Sequence, residues 1–317
     1  MKIIDSNLEP YVERYLHNPI LTPADVPYRV ATVHNAAVVK VNGTYIMIFR
    51  SHLHNGRSIL GKAVSKDGYK FDVADEPFMV PSEKGEARLY EEYGIEDPRI
   101  TKINDEFYIT YSAYSKYGVR IGLARTIDFQ KVERLSFITT PDHRNVVLFP
   151  EKFSGRFVRL DRPHTNIQKW SIWVSYSYDL IHWGDSQIII EPEAYHWDEM
   201  KIGPGAPPIK VAQGWLNIFH GVFQTMSGSV YRLGVALHSL ENPSRILGVS
   251  DQWILQPEEQ YERVGYVPNV VFTCGAILED DGTIKIYYGA ADTVMCLGIA
   301  KATTLIDLCL NSSRKPL

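Results

Sequence analysis

Cysteine is scarce in this chain. Its three copies, Cys274, Cys296 and Cys309, are odd in number and share no CxxC spacing. That pattern gives no sign of a disulfide framework or a thiolate zinc site and leaves three small apolar residues suited to burial. Charge of one sign is also lacking: 33 Lys and Arg against 37 Asp and Glu leave a formal net charge of −4. No basic run is present that could hold nucleic acid, so no nucleic-acid partner is expected. No apolar stretch approaches the roughly 20 residues of a membrane-spanning helix. The opening Met1-Lys2-Ile3-Ile4-Asp5-Ser6-Asn7 turns polar too early for the core of a signal peptide, so a cytoplasmic protein with no membrane partner is expected. Lys201 precedes Gly203 and Gly205, but no Gly-Lys-Ser or Gly-Lys-Thr follows, which argues against a nucleotide-binding loop. No acidic loop of the calcium-binding kind occurs, and the expectation is no metal and no cofactor.

What the chain does have is aromatic residues, with 19 Tyr and 6 Trp, and a phrase that returns five times. A hydrophobic segment meets a tight polar turn and continues as an alternating strand. The turns are Asn42-Gly43, Asn104-Asp105, Ser154-Gly155, Gln213-Gly214 and Asp281-Gly282, and each phrase reads as a β-hairpin. A further strand carrying Gly with Ala or Ser follows each one, as in Leu60-Gly61-Lys62-Ala63 and Leu297-Gly298-Ile299-Ala300. The repeat of roughly 50 to 70 residues matches one four-stranded propeller blade with variable loops. The fold class expected is therefore all-β, a five-bladed β-propeller with its active site at the central axis. It should form a single catalytic domain over residues 26–309, between an N-terminal arm (1–25) and a C-terminal tail (310–317). The arm and tail are the candidates for contacts in a homo-oligomer.

In a propeller the first strand of every blade lies nearest the axis, so the residues entering those strands converge at one mouth. Those positions hold His34-Asn35, Glu96-Asp97-Pro98-Arg99, Arg144-Asn145, Lys201 to Gly205, and Pro268-Asn269. The far ends of the inner hairpins add Arg50, Arg57, Arg162, His220 and Asp292. Cationic groups outnumber carboxylates, of which only Glu96, Asp97 and Asp292 are strong candidates. An inverting glycosidase needs two carboxylates, one to protonate the leaving oxygen and one to activate water. A phosphorolytic enzyme needs only the acid, because phosphate is already an anionic nucleophile and requires Arg, Lys, His and amide donors to hold it.

Long motifs in this chain resemble glycoside hydrolase family 130, the β-mannoside phosphorylases. They are Gly94-Ile95-Glu96-Asp97-Pro98-Arg99-Ile100, Arg144 to Lys152, Arg162-Pro163, His182-Trp183-Gly184, Lys201 to Gly205, Phe219-His220-Gly221-Val222, Val267 to Phe272 and Tyr287 to Asp292. The resemblance runs from about residue 15 to residue 302. It implies a five-bladed propeller that cleaves a terminal β-mannosyl unit with inversion, giving α-mannose 1-phosphate. Asp97 takes the place of the general acid, which passes its proton through the sugar's own 3-hydroxyl. Arg144, Asn145, Arg162, Lys201, His220 and Tyr231 match phosphate-holding positions. Asn35, Arg57 and Asp292 match positions that grip the mannose, and Arg50 and Glu96 beside them are taken as further substrate contacts. The implied partners are a β-mannoside oligosaccharide and inorganic phosphate as co-substrate.

Each residue also has a plainer reading. An Asp before Pro is commonly a turn residue, and a histidine at a strand end is commonly structural. Glu96 could simply pair with a neighbouring cation such as Arg99. The competing functions are an inverting β-mannoside hydrolase on the same fold and a non-enzymatic propeller scaffold. The hydrolase would need a further axial carboxylate where Asn, Arg and Lys stand, and a scaffold would concentrate its contacts on loop tops. Glu-Asp-Pro-Arg, in place of a Tyr-Asp-Pro-Arg version, leans toward manno-oligosaccharides or N-glycan core mannose. Acceptor choice falls to the loops Ser82 to Tyr93, His164 to Lys169, Glu191 to Glu199 and Gln224 to Ser229, with Tyr114, Tyr117, Trp170 and Trp197 as candidate glycan platforms.

Overall fold

A computed structural model describes residues 10–164 and 169–317. The opening segment read for a signal peptide and most of the His164 to Lys169 loop lie outside the described residues. The chain is mostly β, with 51% strand and 7% helix. After β1 (Glu13–Arg14), the first meander comprises β2 (His34–Val41), β3 (Thr44–His52), β4 (Ser58–Ser65) and β5 (Asp72–Val73). The helix α1 (Ala87–Tyr90) leads into a second, β6 (Gly94–Ile103), β7 (Glu106–Ser115), β8 (Gly118–Thr126) and β9 (Glu133–Phe137). A third contains β10 (His143–Leu148), β11 (Phe157–Pro163), β12 (Ile172–Ser177) and β13 (Gly184–Ile190). The fourth has a divided first strand, β14 (Lys201–Pro204) and β15 (Ile209–Val211), then β16 (Gly214–Thr225), β17 (Gly228–His238) and β18 (Ile246–Val249). The helix α2 (Gln260–Arg263) precedes the fifth, β19 (Val271–Leu278), β20 (Thr283–Ala290) and β21 (Val294–Lys301), and α3 (Ala302–Leu310) follows it.

Every meander is antiparallel, and a single parallel pairing of Ser58 with Gly94 joins the first to the second. The turn residues explain the hairpins. Asn42 and Gly43 both have positive φ, 49° and 77°, and Ser154 and Gly155 repeat this at 50° and 79°. That geometry matches the right-handed twist of the flanking strands, and glycine adopts it without steric cost.

The core is divided among the joints between sheets. Ala37, Leu60, Ile109 and Tyr111 pack between the first and second sheets, and Leu123, Val146 and Leu148 between the second and third. Phe149, Leu160, Trp215 and Phe219 fill the third joint, and Leu216, Leu233, Val271 and Ile284 the fourth. Met47 and Phe49 meet Tyr287 and Leu297 where the fifth sheet packs on the first. A fully buried side chain of this size contributes roughly 2–3 kcal/mol.

Both chain ends are built into this packing. β1 pairs with β21, Val12 is buried, and Arg14 forks onto the buried Glu262 at 2.9 and 3.0 Å. So Glu13 and Arg14, in the segment read as an arm, form the outer strand of the fifth sheet. In the tail, buried Arg314 donates to Asp198 Oδ2 at 2.8 Å. Trp197 is not the loop platform expected from the sequence. It is only 6% exposed and stacks on Phe219, and its indole lies over Gly221 and Gly234, where a Cβ would come within 2.4 and 2.7 Å of the ring.

Candidate active site

One conformational device recurs where the first strands begin. Asn35, Asp97 and Asn145 all have positive φ, at 48°, 49° and 61°, and each lies where the register of its hairpin shifts, between His34 and Ala37, Glu96 and Arg99, and Arg144 and Val147. Each is an extra residue in a β-bulge, which re-aims its side chain. Asn and Asp tolerate the left-handed region better than other non-glycine residues, which is why these residue types stand there. Asn269, two residues before β19, has φ 59°, and the Ala291-Asp292 pair after β20 has 46° and 48°. Three sheets thus point Asn35, Asp97 and Asn145 into one cavity of about 170 Å³. Arg50, Arg144, Arg162, His220, Tyr231 and Asp292 also line it, and Val267, Val270 and Phe272 form an apolar wall. Larger depressions of about 410 and 520 Å³ run along the C-terminal segment, but none of the strand-end residues lines them.

The carboxylates gather on one side. Asp97 Oδ1 accepts from Asn35 Nδ2 and from Arg50 Nη1, both at 2.9 Å. Burial pushes the Asp97 carboxyl up, but Arg50, Arg99 and the Asn35 amide outweigh it and hold the group well below the usual carboxylate range. Arg50 Nη2 meets Glu96 Oε1 at 2.8 Å, and Ser58 Oγ donates to the same oxygen at 2.9 Å. Glu96 therefore pairs with Arg50 and not with Arg99, and it does not line the cavity. Arg50 Nη2 also lies 2.8 Å from His52 Nε2, which must be the acceptor because a guanidinium can only donate. Asp292 has no hydrogen-bond partner among the described residues. Burial, with Asp97 and Glu96 nearby, raises it to about 6 against the pull of Arg50.

A second cluster in the lining is cationic. Arg162 Nη1 lies 2.9 Å from His220 Nε2, and Asn145 Nδ2 lies 3.4 Å from the same nitrogen. Both neighbours donate, so His220 is neutral with its proton on Nδ1, and that buried N–H has no acceptor among the described residues. Burial, then Arg162 and Arg99, keeps His220 well below its ordinary value. Burial and the neighbouring Arg162 and Arg144 lower Lys201 to about 8. The Lys201 ammonium lies 5.0 Å from the Trp170 ring and 5.3 Å from the Tyr231 ring. The Arg144 side chain makes no hydrogen bond or ion pair among the described residues. Gly203 is required by close approach, since a Cβ there would lie 2.7 Å from His220 Cε1 and 2.8 Å from Asn145 Nδ2.

Lys201 does not line the cavity but packs against Trp170 and Tyr231, and Arg57 is exposed on the turn before β4 and does not line the cavity either. Sequence reasoning did not assign Val267, Val270 and Phe272. The Val-Pro-Asn-Val-Val-Phe run marks their position, but nothing in it shows which way the side chains face. Among the described residues one group of metal-ligating types clusters, Glu193, His196 and Asp251, on loops apart from the cavity lining.

The sequence profile described as beta-1,4-mannooligosaccharide phosphorylase, that of glycoside hydrolase family 130, matches residues 8–311. This chain belongs to glycoside hydrolase family 130. Among family relatives, a 1,2-β-oligomannan phosphorylase of Thermoanaerobacter sp. (strain X514) is 37% identical over 299 residues, covering 91% of this chain and 96% of that protein. A β-1,4-mannooligosaccharide phosphorylase of Ruminococcus albus is 31% identical over 303 residues, covering 93% and 89%. The solved structure of β-1,2-mannobiose phosphorylase from Listeria innocua, in complex with β-1,2-mannobiose, superposes with a TM-score of 0.86 at 29% identity, covering 94% of this chain and 99% of that one.

Proposed function

We propose that this family 130 member is an inverting phosphorylase that transfers a terminal β-mannosyl unit to inorganic phosphate, and that β-1,2-mannosides are its substrates. The observation that carries the reading is the separation of charge within the cavity lining. Asp97 and Asp292 are grouped with Arg50, and Arg144, Asn145, Arg162 and His220 form a separate cationic group in the same lining, with Lys201 against Tyr231. Inversion requires the nucleophile to attack the face opposite the acid. A cationic cradle separate from the Asp97 group suits an anionic nucleophile, whereas a hydrolase would need a carboxylate there to activate water. Relatives at 30–38% identity named as β-mannoside phosphorylases support the activity, and β-1,2 names accompany higher identity than the β-1,4 name.

In this reading Asp97 is the general acid. Its ion pair with Arg50 leaves it ionised before substrate binds, so it must gain a proton when phosphate arrives. Phosphorolysis by HPO₄²⁻ is proton-neutral: the C1–O bond to the acceptor breaks, a C1–O bond to phosphate forms, and the proton that phosphate brings ends on the leaving alcohol. A dianion entering the cradle also raises the proton affinity of Asp97. Arg144, Asn145, Arg162 and the Nδ1–H of His220 hold phosphate, with Lys201 and Tyr231 closing that side. Asn35, Arg50 and Asp292 bind mannose hydroxyls. Packing of each sheet on the next, and of the fifth on the first, supports one closed five-bladed propeller around this cavity.

The test is the product formed from β-1,2- and β-1,4-mannobiose with and without phosphate. Mannose 1-phosphate appearing only with phosphate, and from the β-1,2 disaccharide, is the expected result. Free mannose at equal rates in both conditions would refute phosphorolysis, and preference for the β-1,4 disaccharide would refute the linkage.

A further inference from the structure

Arg99 is 1% exposed, and no carboxylate makes an ion pair with it among the described residues. All its acceptors are neutral oxygens: Nε donates to Gly205 O at 3.1 Å, Nη1 to Asp97 O at 2.8 Å, and Nη2 to Asn145 Oδ1 at 3.3 Å and Pro204 O at 3.4 Å. Its guanidinium carbon lies 5.6 Å from the Phe272 ring centroid. One side chain of the second sheet therefore ties together the bulge of its own sheet, the bulge of the third and the first strand of the fourth, against an aromatic of the fifth. Burying a guanidinium without a carboxylate in direct contact is unfavourable, and a neutral residue would hold a scaffold together at lower cost. The two bulges it holds carry the proposed acid and a proposed phosphate ligand.

We propose that Arg99 is a positioning residue for phosphorolysis: its fork holds the Asp97 backbone and the Asn145 amide in mutual register, and its charge, which no carboxylate contacts directly, makes the cavity receptive to an anion. The proposal rests on the phosphorylase reading above. Asn145 then presents Nδ2 because Arg99 occupies its Oδ1, which sets the orientation of the amide by chemistry. Arg99 does not line the cavity, so it acts through these two residues and through its field.

The experiment compares full-length Arg99→Lys and Arg99→Gln with the unaltered protein, measuring kcat, KM for phosphate and KM for β-1,2-mannobiose separately, and melting temperature with and without phosphate. In Arg99→Gln, kcat should fall about 100-fold, as expected for a displaced acid. Its KM for phosphate should rise about 10-fold with the loss of charge, KM for mannobiose should stay within about twofold, and phosphate at a given concentration should raise the melting temperature less than in the unaltered protein. Arg99→Lys keeps the charge and loses the fork, so its melting should still respond to phosphate while kcat falls. A merely structural residue would lower the melting temperature without separating the two KM values. Unchanged kcat and phosphate KM in Arg99→Gln would overturn the proposal. If that variant does not fold, unchanged kcat in Arg99→Lys would overturn it. Phosphate-independent release of mannose by the unaltered protein would instead refute the functional reading, and the kcat of the variants would still decide the placement of Asp97.

Discussion

Arg50 donates to Asp97 through Nη1 at 2.9 Å across 47 positions of sequence, and its other arm meets Glu96 at 2.8 Å. One guanidinium thus serves two adjacent carboxylates, and the proposed acid is ionised before phosphate binds. In the proposed reaction, proton transfer is coupled to anion binding, because the negative charge of phosphate in the cavity raises the proton affinity of Asp97.

Removing the acid should separate chemistry from binding. Asp97→Asn should lower kcat about 10²–10⁴-fold, the range for a lost general acid. Phosphate should still raise its melting temperature at least as much as in the unaltered protein, because the variant removes a negative charge from the cavity and a ligand that binds only the folded state stabilises it. Turnover equal to that of the unaltered protein would remove Asp97 from the mechanism.

The Arg144 side chain has no hydrogen-bond or ion-pair partner among the described residues, so its replacement should expose its proposed ligand contact with little structural disturbance. Arg144→Ala should weaken phosphate by about 1.5–3 kcal/mol, the worth of a charge-assisted contact. The measurement is KM for phosphate at saturating disaccharide, and an unchanged value would place Arg144 outside the anion site.

Lys201 sits at about 8, below its ordinary value because of burial, Arg162 and Arg144. It loses its charge as pH rises through that value, so anion affinity should fall there. Sulfate, whose charge is constant across this range, is the probe. Its inhibition constant should rise above pH 8, and in Lys201→Met that limb should be absent. The same limb in both proteins would assign it to another group.

Asp292 is raised to about 6, chiefly by burial. It accepts mannose hydroxyls best when ionised, so kcat/KM for the mannoside should climb as pH passes upward through about 6. Asp292→Asn should be weaker at neutral pH and lack that limb. The stability effect has the opposite direction: a carboxyl whose folded value exceeds its unfolded value favours the folded state most at low pH, and that contribution fades as pH rises through about 6.

Gly203 offers a geometric check. Gly203→Ala places a methyl group 2.7 Å from His220 Cε1 and 2.8 Å from Asn145 Nδ2. The variant should lose about 10-fold or more in phosphate affinity, the cost of a displaced charge-assisted contact, with circular dichroism unchanged. Normal phosphate KM would show that the cradle tolerates the displacement.

Much of this molecule is legible from local sequence, because strand alternation and turn chemistry act over a few residues. Asn42-Gly43 and Ser154-Gly155 announce their hairpins, and the Asn, Asp and Asn at positions 35, 97 and 145 are residue types that accept the left-handed conformation of the bulges. The excess of cations over carboxylates at those strand ends was equally visible. Partnership over long separations was not. Arg50 could have paired with any nearby acid, Arg57 has the same chemistry yet stands exposed on a turn, and Trp197 reads as a loop aromatic but fills a joint made by two glycines of the next sheet. Those outcomes depend on how the five meanders pack against one another. Only that packing groups carboxylates with Arg50 and gathers the other cations around His220 in a single cavity, because the energy of a charge is set by neighbours that the chain brings together from tens to hundreds of residues away.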